Sequence, residues 1–216
     1  MARAKVEKKK TASKRESRPK PEPIPVHLLN PWKRLNSNLK YNNAWISVTE
    51  DKVLKPNGEP GIYGVVNFKN VAVGVIALHK NAKNESCVIL VGQYRYPLGR
   101  YSWELPEGGC PTTEQPLAAA KRELEEETGY KAKSWKKVLE MDLSNSSTNE
   151  RAIIFLATKL TPGRAQPEDT EVLRLKSVSL TKAVEMVLRG EITDAISVAA
   201  LLYTQVAAGR GERLQP

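Results

Sequence analysis

Between Glu114 and Thr128 the sequence turns from the β-branched runs before it to an almost unbroken series of strong helix formers, and it stops at Gly129. The run predicts one helix. Thr112 or Thr113 can cap its start, Pro116 is tolerated in a first turn, and Gly129 stands where a left-handed C-cap is expected. Helical spacing places Leu117, Ala120 and Leu124 in an apolar stripe able to dock on a sheet. A lone central helix among strands restricts the chain to layered α/β arrangements.

The strands are predicted on both sides of it. Ala44–Thr49 alternates, and Asp51–Leu54 runs into Pro56-Asn57-Gly58, a hairpin signal. Ile62–Phe68, Val71–Leu78 and Cys87–Tyr94 are rich in β-branched and aromatic residues, with a polar turn at Asn81–Ser86. Further strands are expected at Trp135–Asp142, Arg151–Ala157 and Val172–Val178, then helices at Thr181–Arg189 and Asp194–Ala208. No internal repeat is visible.

The net charge of +10 is concentrated in the first 22 residues, which hold nine Lys or Arg and three Glu. Residues 1–24 are therefore expected to be a disordered basic tail, and nucleic acid is a partner only through that tail. Cys87 and Cys110 lie outside any metal-ligand or disulfide spacing, and Cys87 opens an apolar run as a small hydrophobe. No apolar run reaches the roughly 18 residues of a membrane span, and charges occupy the place of a signal peptide's apolar stretch. The expectation is a soluble, cytoplasmic protein with no membrane partner. His27 and His79 are assigned no role.

Within the helix, Glu123, Glu126 and Glu127 share one face, whereas Glu125 points away. Like charges so close destabilise an isolated helix, and a hard divalent cation removes the repulsion. Taken alone, the cluster is equally the solvated face of an ordinary helix. Its surroundings carry more. Gly108, Glu114, Arg122, Glu123, Leu124, Glu126, Glu127 and Gly129 match, in register, the Nudix box Gly-x5-Glu-x7-Arg-Glu-U-x-Glu-Glu-x-Gly-U, with U a bulky apolar residue. Tyr130 fills the last U with an aromatic ring, a mild departure.

The chain thus resembles the Nudix hydrolases, and several expectations come with that resemblance. The fold is α/β, a Nudix-type α/β/α sandwich with a mixed sheet, over residues 69–216. A small N-terminal β subdomain over 25–68 precedes it and serves dimerisation. Glu123, Glu127 and Glu126 are the expected ligands of Mg²⁺, for which Mn²⁺ can substitute, with the Gly108 backbone carbonyl as a further one. Glu114 and Arg122 orient the helix and its carboxylates. The nucleophile is a metal-activated water, so no Ser/His/Asp constellation is needed.

Outside the box, Val91-Gly-Gln-Tyr-Arg95-Tyr-Pro-Leu-Gly and Trp103-Glu104-Leu-Pro-Glu107-Gly108 resemble the ADP-ribose pyrophosphatase branch. That likeness implies substrate contacts from Arg95 and Glu104; the less favoured alternative on residue chemistry alone is a surface ion pair, with each other as one option. It implies a catalytic carboxylate from the acidic loop Gln166–Glu171, where Glu168 and Glu171 are favoured over Asp169 and Glu126 contributes from the helix. It also implies a homodimer and aromatic stacking on adenine. Tyr63, Phe68 and Tyr94 are the aromatic candidates, unassigned because strand aromatics so often build core.

The expected reaction is hydrolysis of the pyrophosphate bond of ADP-ribose or a related nucleoside-diphosphate sugar, giving a nucleoside monophosphate and a sugar phosphate. GDP-mannose or a dinucleoside polyphosphate is the alternative substrate. A non-catalytic RNA- or protein-binding Nudix module is the alternative of another class, disfavoured by the intact box.

Overall fold

A computed structural model of the chain describes residues 29–166 and 172–211. Its first unit is a three-stranded antiparallel sheet of β1 (Lys33–Asn42), β2 (Ile46–Leu54) and β3 (Pro60–Phe68) in the order β1-β2-β3. The turn at Pro56-Asn57-Gly58 closes the β2–β3 hairpin, setting Leu54 opposite Pro60 and Ile46 opposite Phe68.

A seven-stranded mixed sheet follows. It comprises β4 (Val71–Lys80), β5 (Ser86–Arg95), β6 (Arg100–Glu104), β7 (Glu107–Cys110), β8 (Lys131–Asp142), β9 (Arg151–Thr161) and β10 (Arg174–Ser179). The path β10-β5-β4-β9-β8 carries β6 beside β5 and β7 beside β4. Among the described strands of this sheet only β4 and β9 pair in parallel. The helices are α1 (Pro116–Thr128), α2 (Leu180–Leu188) and α3 (Ala195–Gly209).

Strand β4 shows why the layers form. Residues Val73–Leu78 are buried without interruption, so both faces of the strand need cover. Ile76 and Leu78 join Leu90, Ile154, Met186 and Leu201 in the core under α2 and α3. Val73, Val75 and Ala77 face the other way, against Ala119, Ala120 and Leu124 of α1. The result is the α/β/α sandwich with its small N-terminal sheet. No described helix is long and apolar enough to cross a membrane.

Several local expectations are corrected. Strand β1 precedes the first expected strand, Ala44–Thr49; nine of its ten residues are exposed, so no alternation marked it. Strands β6 and β7 are additional. Helix α1 starts at Pro116 rather than Glu114, and its N-cap is Gln115 with no side-chain cap bond instead of Thr112 or Thr113. Leu117 is exposed, and Ala119 takes its place in the apolar stripe. The expected tail over 1–24 lies outside the described residues.

Candidate active site

Helix α1 ends where the sequence requires. Gly129 adopts φ +73°, and its N–H caps the Glu125 carbonyl. A side chain there would also strike backbone: an ideal Cβ falls 2.6 Å from the Ala165 nitrogen. The segment after β9 is therefore pressed on the end of α1, and the Gln166 N–H donates to the Glu126 carbonyl at 2.8 Å. Glu168, Glu171 and Asp169 lie just beyond, outside the described residues.

Arg122 is the hub of the box. Its Nη1 donates to Glu123 Oε1 and Glu126 Oε2, both at 2.9 Å. Its Nη2 donates to the Gly109 carbonyl at 3.0 Å and to Glu114 Oε2 at 3.1 Å. One planar fork thus ties the helix to β7 and to the turn before it. Glu114, ahead of Glu123 and Glu126, holds the guanidinium above its ordinary pKa. Glu125 points away and pairs with Lys131.

Glu123 lies against the backbone of Gly108, so closely that an ideal Cβ at 108 would fall 2.2 Å from its carboxyl. Glu127 is 2% exposed and accepts the Glu107 N–H at 3.0 Å. Beside it, Arg95 and Glu104 form an ion pair in which Glu104 is buried and Arg95 stays partly exposed. Arg95 Nε donates to Glu104 Oε2 at 2.9 Å, and Nη2 reaches Glu107 Oε1 at 3.1 Å. Burial opposes the Arg95 charge, but Glu104, then Glu107 and Glu127, raise its pKa.

These residues border a cleft of about 740 Å³. Arg95, Glu107, Gly108, Glu114, Arg122 and Glu123 form its polar side, while Trp45 and Phe68 of the N-terminal unit form an aromatic wall. Glu104 and Glu127 lie beneath that surface, and Glu126 is partly exposed beside it. Tyr94 is exposed and Tyr63 donates to the Ser146 carbonyl; of the three aromatic candidates only Phe68 lines the cleft.

Asp194, Glu150, Asn70 and Trp45 also line it and had not been singled out. Asp194 caps α3 by accepting the Ser197 N–H at 2.7 Å. The helix start at Asp194 was legible; its return to the box was not. Burial, then the Asp194 and Glu104 charges, pushes the Glu107 carboxyl well above its ordinary value of 4.5, against the pull of Arg95. Glu150 rises too, through burial and then Asp194.

The Glu107 shift has a consequence for stability. Its folded pKa lies above the unfolded one, so its contribution is complete below pH 4.5 and is lost as pH rises through the folded value. Glu107→Gln mimics the protonated form. The difference in Tm, variant minus wild type, should grow from pH 4 upward. A difference independent of pH would refute the assignment.

Among the described residues no three carboxylates stand close enough together to hold a metal ion between them, and Arg122 engages both Glu123 and Glu126. The donor chemistry nevertheless fits a hard divalent cation. Carboxylates from one helix face adjoin the Gly108 backbone, and Glu107 Oε2 is buried without a hydrogen-bond partner.

Comparison with known proteins agrees with this architecture. Residues 69–201 match the NUDIX domain, and residues 32–66 match the nucleoside diphosphate sugar hydrolase N-terminal domain. The ADP-ribose pyrophosphatase of Mycobacterium tuberculosis is 31% identical over 175 residues, covering 78% of this chain and 80% of its own length. That of Bacillus subtilis is 32% identical over 168 residues, covering 77% and 88%. A crystal structure of an ADP compounds hydrolase superposes with a TM-score of 0.74 at 20% identity, covering 85% of this chain and 98% of that one. The fold and the box define a hydrolase of the sandwich type just described. The chain belongs to the Nudix family, whose hydrolases generally need a divalent metal.

Proposed function

We propose that this Nudix hydrolase cleaves the pyrophosphate bond of ADP-ribose or a related nucleoside-diphosphate sugar, releasing a nucleoside monophosphate and a sugar phosphate. One observation carries the reading. The box residues Glu114 and Glu123, gathered by Arg122, line the same cleft as Trp45 and Phe68 of the N-terminal unit, so one cleft offers partners both to a diphosphate with its cation and to a base. The names of the Mycobacterium and Bacillus relatives support the choice of ADP-ribose.

Mg²⁺, or Mn²⁺ in its place, would be held by Glu123, Glu127, Glu126 and the Gly108 carbonyl. When bound, the cation neutralises the diphosphate and acidifies a water. Arg122 and Glu114 orient the carboxylates, and Arg95, braced by Glu104, faces the diphosphate. Glu168 or Glu171 takes the proton of the attacking water. The anchoring of Gln166 on the Glu126 carbonyl supports that role, because it starts the loop at the box.

We assign a homodimer formed through the N-terminal sheet, whose exposed Leu35, Leu39, Tyr41 and Ile62 are candidates for the contact; sedimentation should give twice the chain mass. Cytoplasmic placement suits two buried free thiols. A GDP-mannose pyrophosphatase of Shigella flexneri, 32% identical over 145 residues, keeps GDP-mannose as the second reading.

The test is a substrate panel with Mg²⁺ or Mn²⁺: ADP-ribose, GDP-mannose, UDP-glucose, diadenosine polyphosphates and capped RNA, with products resolved chromatographically. AMP and ribose 5-phosphate from ADP-ribose are expected. Preferential cleavage of GDP-mannose would establish the second reading, and no cleavage of any member would refute both.

A further inference from the structure

A second cavity lies at the far end of β4 from the cleft. Val71 and Ala72 line the cleft, whereas Leu78, His79 and Lys80 line this cavity. Seven strand steps from Ala72 to His79 separate the two by roughly 23 Å. The cavity has a topological origin. Strands β4 and β9 pair in parallel only as far as Ala77 opposite Ala157. Beyond that point β4 continues along β5 to Lys80 opposite Ser86, while β9 continues along β8. The wedge between them encloses about 310 Å³, at the lower end of small-molecule sites.

Its lining is of one sign. Lys80 and Lys159 supply ammonium groups, Ser86 and Thr158 supply hydroxyls, and no carboxylate takes part. Lys80 is held in place, donating to Ser86 Oγ at 3.0 Å and to the Asn84 carbonyl at 3.1 Å. Both ring nitrogens of His79 are engaged, Nε2 with Ser177 Oγ and Nδ1 with the Lys80 carbonyl, so His79 forms wall.

Two further observations indicate a ligand. Thr158 is 2% exposed, yet its Oγ1 has no hydrogen-bond partner; buried hydroxyls are ordinarily satisfied, and such an exception calls for an explanation. Lys159 adopts φ +58°, a left-handed conformation rare for a lysine inside a strand, and departures of this kind concentrate at binding sites.

We propose that this wedge is a binding site for a small phosphate-bearing ligand. The ammonium groups of Lys80 and Lys159 face the phosphate, and the Thr158 hydroxyl donates to one of its oxygens. The site is separate from the catalytic cleft and independent of the substrate assigned there.

The test uses the full chain, ¹⁵N-labelled and kept metal-free with chelator, titrated with inorganic phosphate and with ribose 5-phosphate. Saturable shifts are expected at the amides of Lys80, Thr158 and Lys159. Equal affinities identify the bare phosphate as ligand, and tighter ribose 5-phosphate identifies the ester. The double variant Lys80→Gln/Lys159→Asn removes both charges while asparagine tolerates the left-handed backbone. It should bind at least about tenfold more weakly, as expected when charge-assisted hydrogen bonds are lost, with turnover in the cleft unchanged. Thr158→Val, nearly the same shape without the hydroxyl, should weaken binding several-fold on its own. No saturable shift at these amides in the wild type, or an unchanged affinity in either folded variant, would overturn the proposal.

Discussion

Glu127→Gln is expected to leave the domain folded and to lower turnover by more than about 100-fold, the upper end of what loss of a merely supporting partner costs a metal site. The structural side of the expectation rests on burial. Glu127 is 2% exposed, and its Oε2 accepts the Glu107 N–H. A glutamine of the same shape keeps a carbonyl oxygen for that bond, so β7 and α1 stay together. What it loses is the negative charge, and a hard divalent cation needs that charge from its ligands. Loss of turnover with an unchanged Tm would place Glu127 at the metal. Wild-type activity would refute the ligand assignment, and a large fall in Tm would make Glu127 a structural residue instead. Raising the metal concentration adds a second readout, since a weakened ligand set should be partly rescued by excess Mn²⁺.

The helix holding Glu127 was readable because its signals are local. A run of helix formers, a proline in the first turn and a glycine with positive φ are all fixed by near neighbours in the chain. The buried run Val73–Leu78 announced itself by composition in the same way. The elements that escaped are those whose conformation is imposed from outside. Strand β7 contains Gly108 and Gly109, poor strand formers, and is extended because β4 pairs with it from Val71 to Gly74. Strand β1 is almost wholly exposed and exists as the partner of β2.

The site divides along the same line. Glu114, Arg122, Glu123 and Glu126 sit close enough in sequence for helical geometry and register to relate them, and the structure joins all four through one guanidinium. Arg95 and Glu104 were flagged together and do meet, although the strand register sets Arg95 opposite Arg100 and Glu104 opposite Val91, so the contact is made by the side chains and not by strand pairing. Glu150 reaches the cleft from the connection between β8 and β9, and Asp194 only after the chain has crossed the sheet and arrived at the start of α3. Nothing near either residue in sequence marks it, since an aspartate before a helix is already explained by capping.

Gly108→Ala is expected to abolish most activity while sparing stability. An ideal Cβ at 108 would lie 2.2 Å from Cδ and Oε1 of Glu123, far inside any allowed contact. The obstructing atoms are the end of a flexible side chain, so the conflict is relieved by swinging the carboxylate away rather than by moving β7 or α1. Glu123 would then leave both the Gly108 backbone and its 2.9 Å bond to Arg122. A displacement of about 1 Å in a reacting constellation can cost on the order of 100-fold in rate, and a ligand carboxylate moved off its place should cost at least that. The neighbouring Gly109→Ala is the control: its Cβ would meet Asn70, with Nδ2 nearest at 3.1 Å, which needs a shift of a few tenths of an ångström. Gly109→Ala should therefore keep most of its turnover. Equal losses in the two variants would mean that β7 tolerates no side chain at all. A loss confined to Gly108→Ala would show that the glycine opening the box is there to admit Glu123.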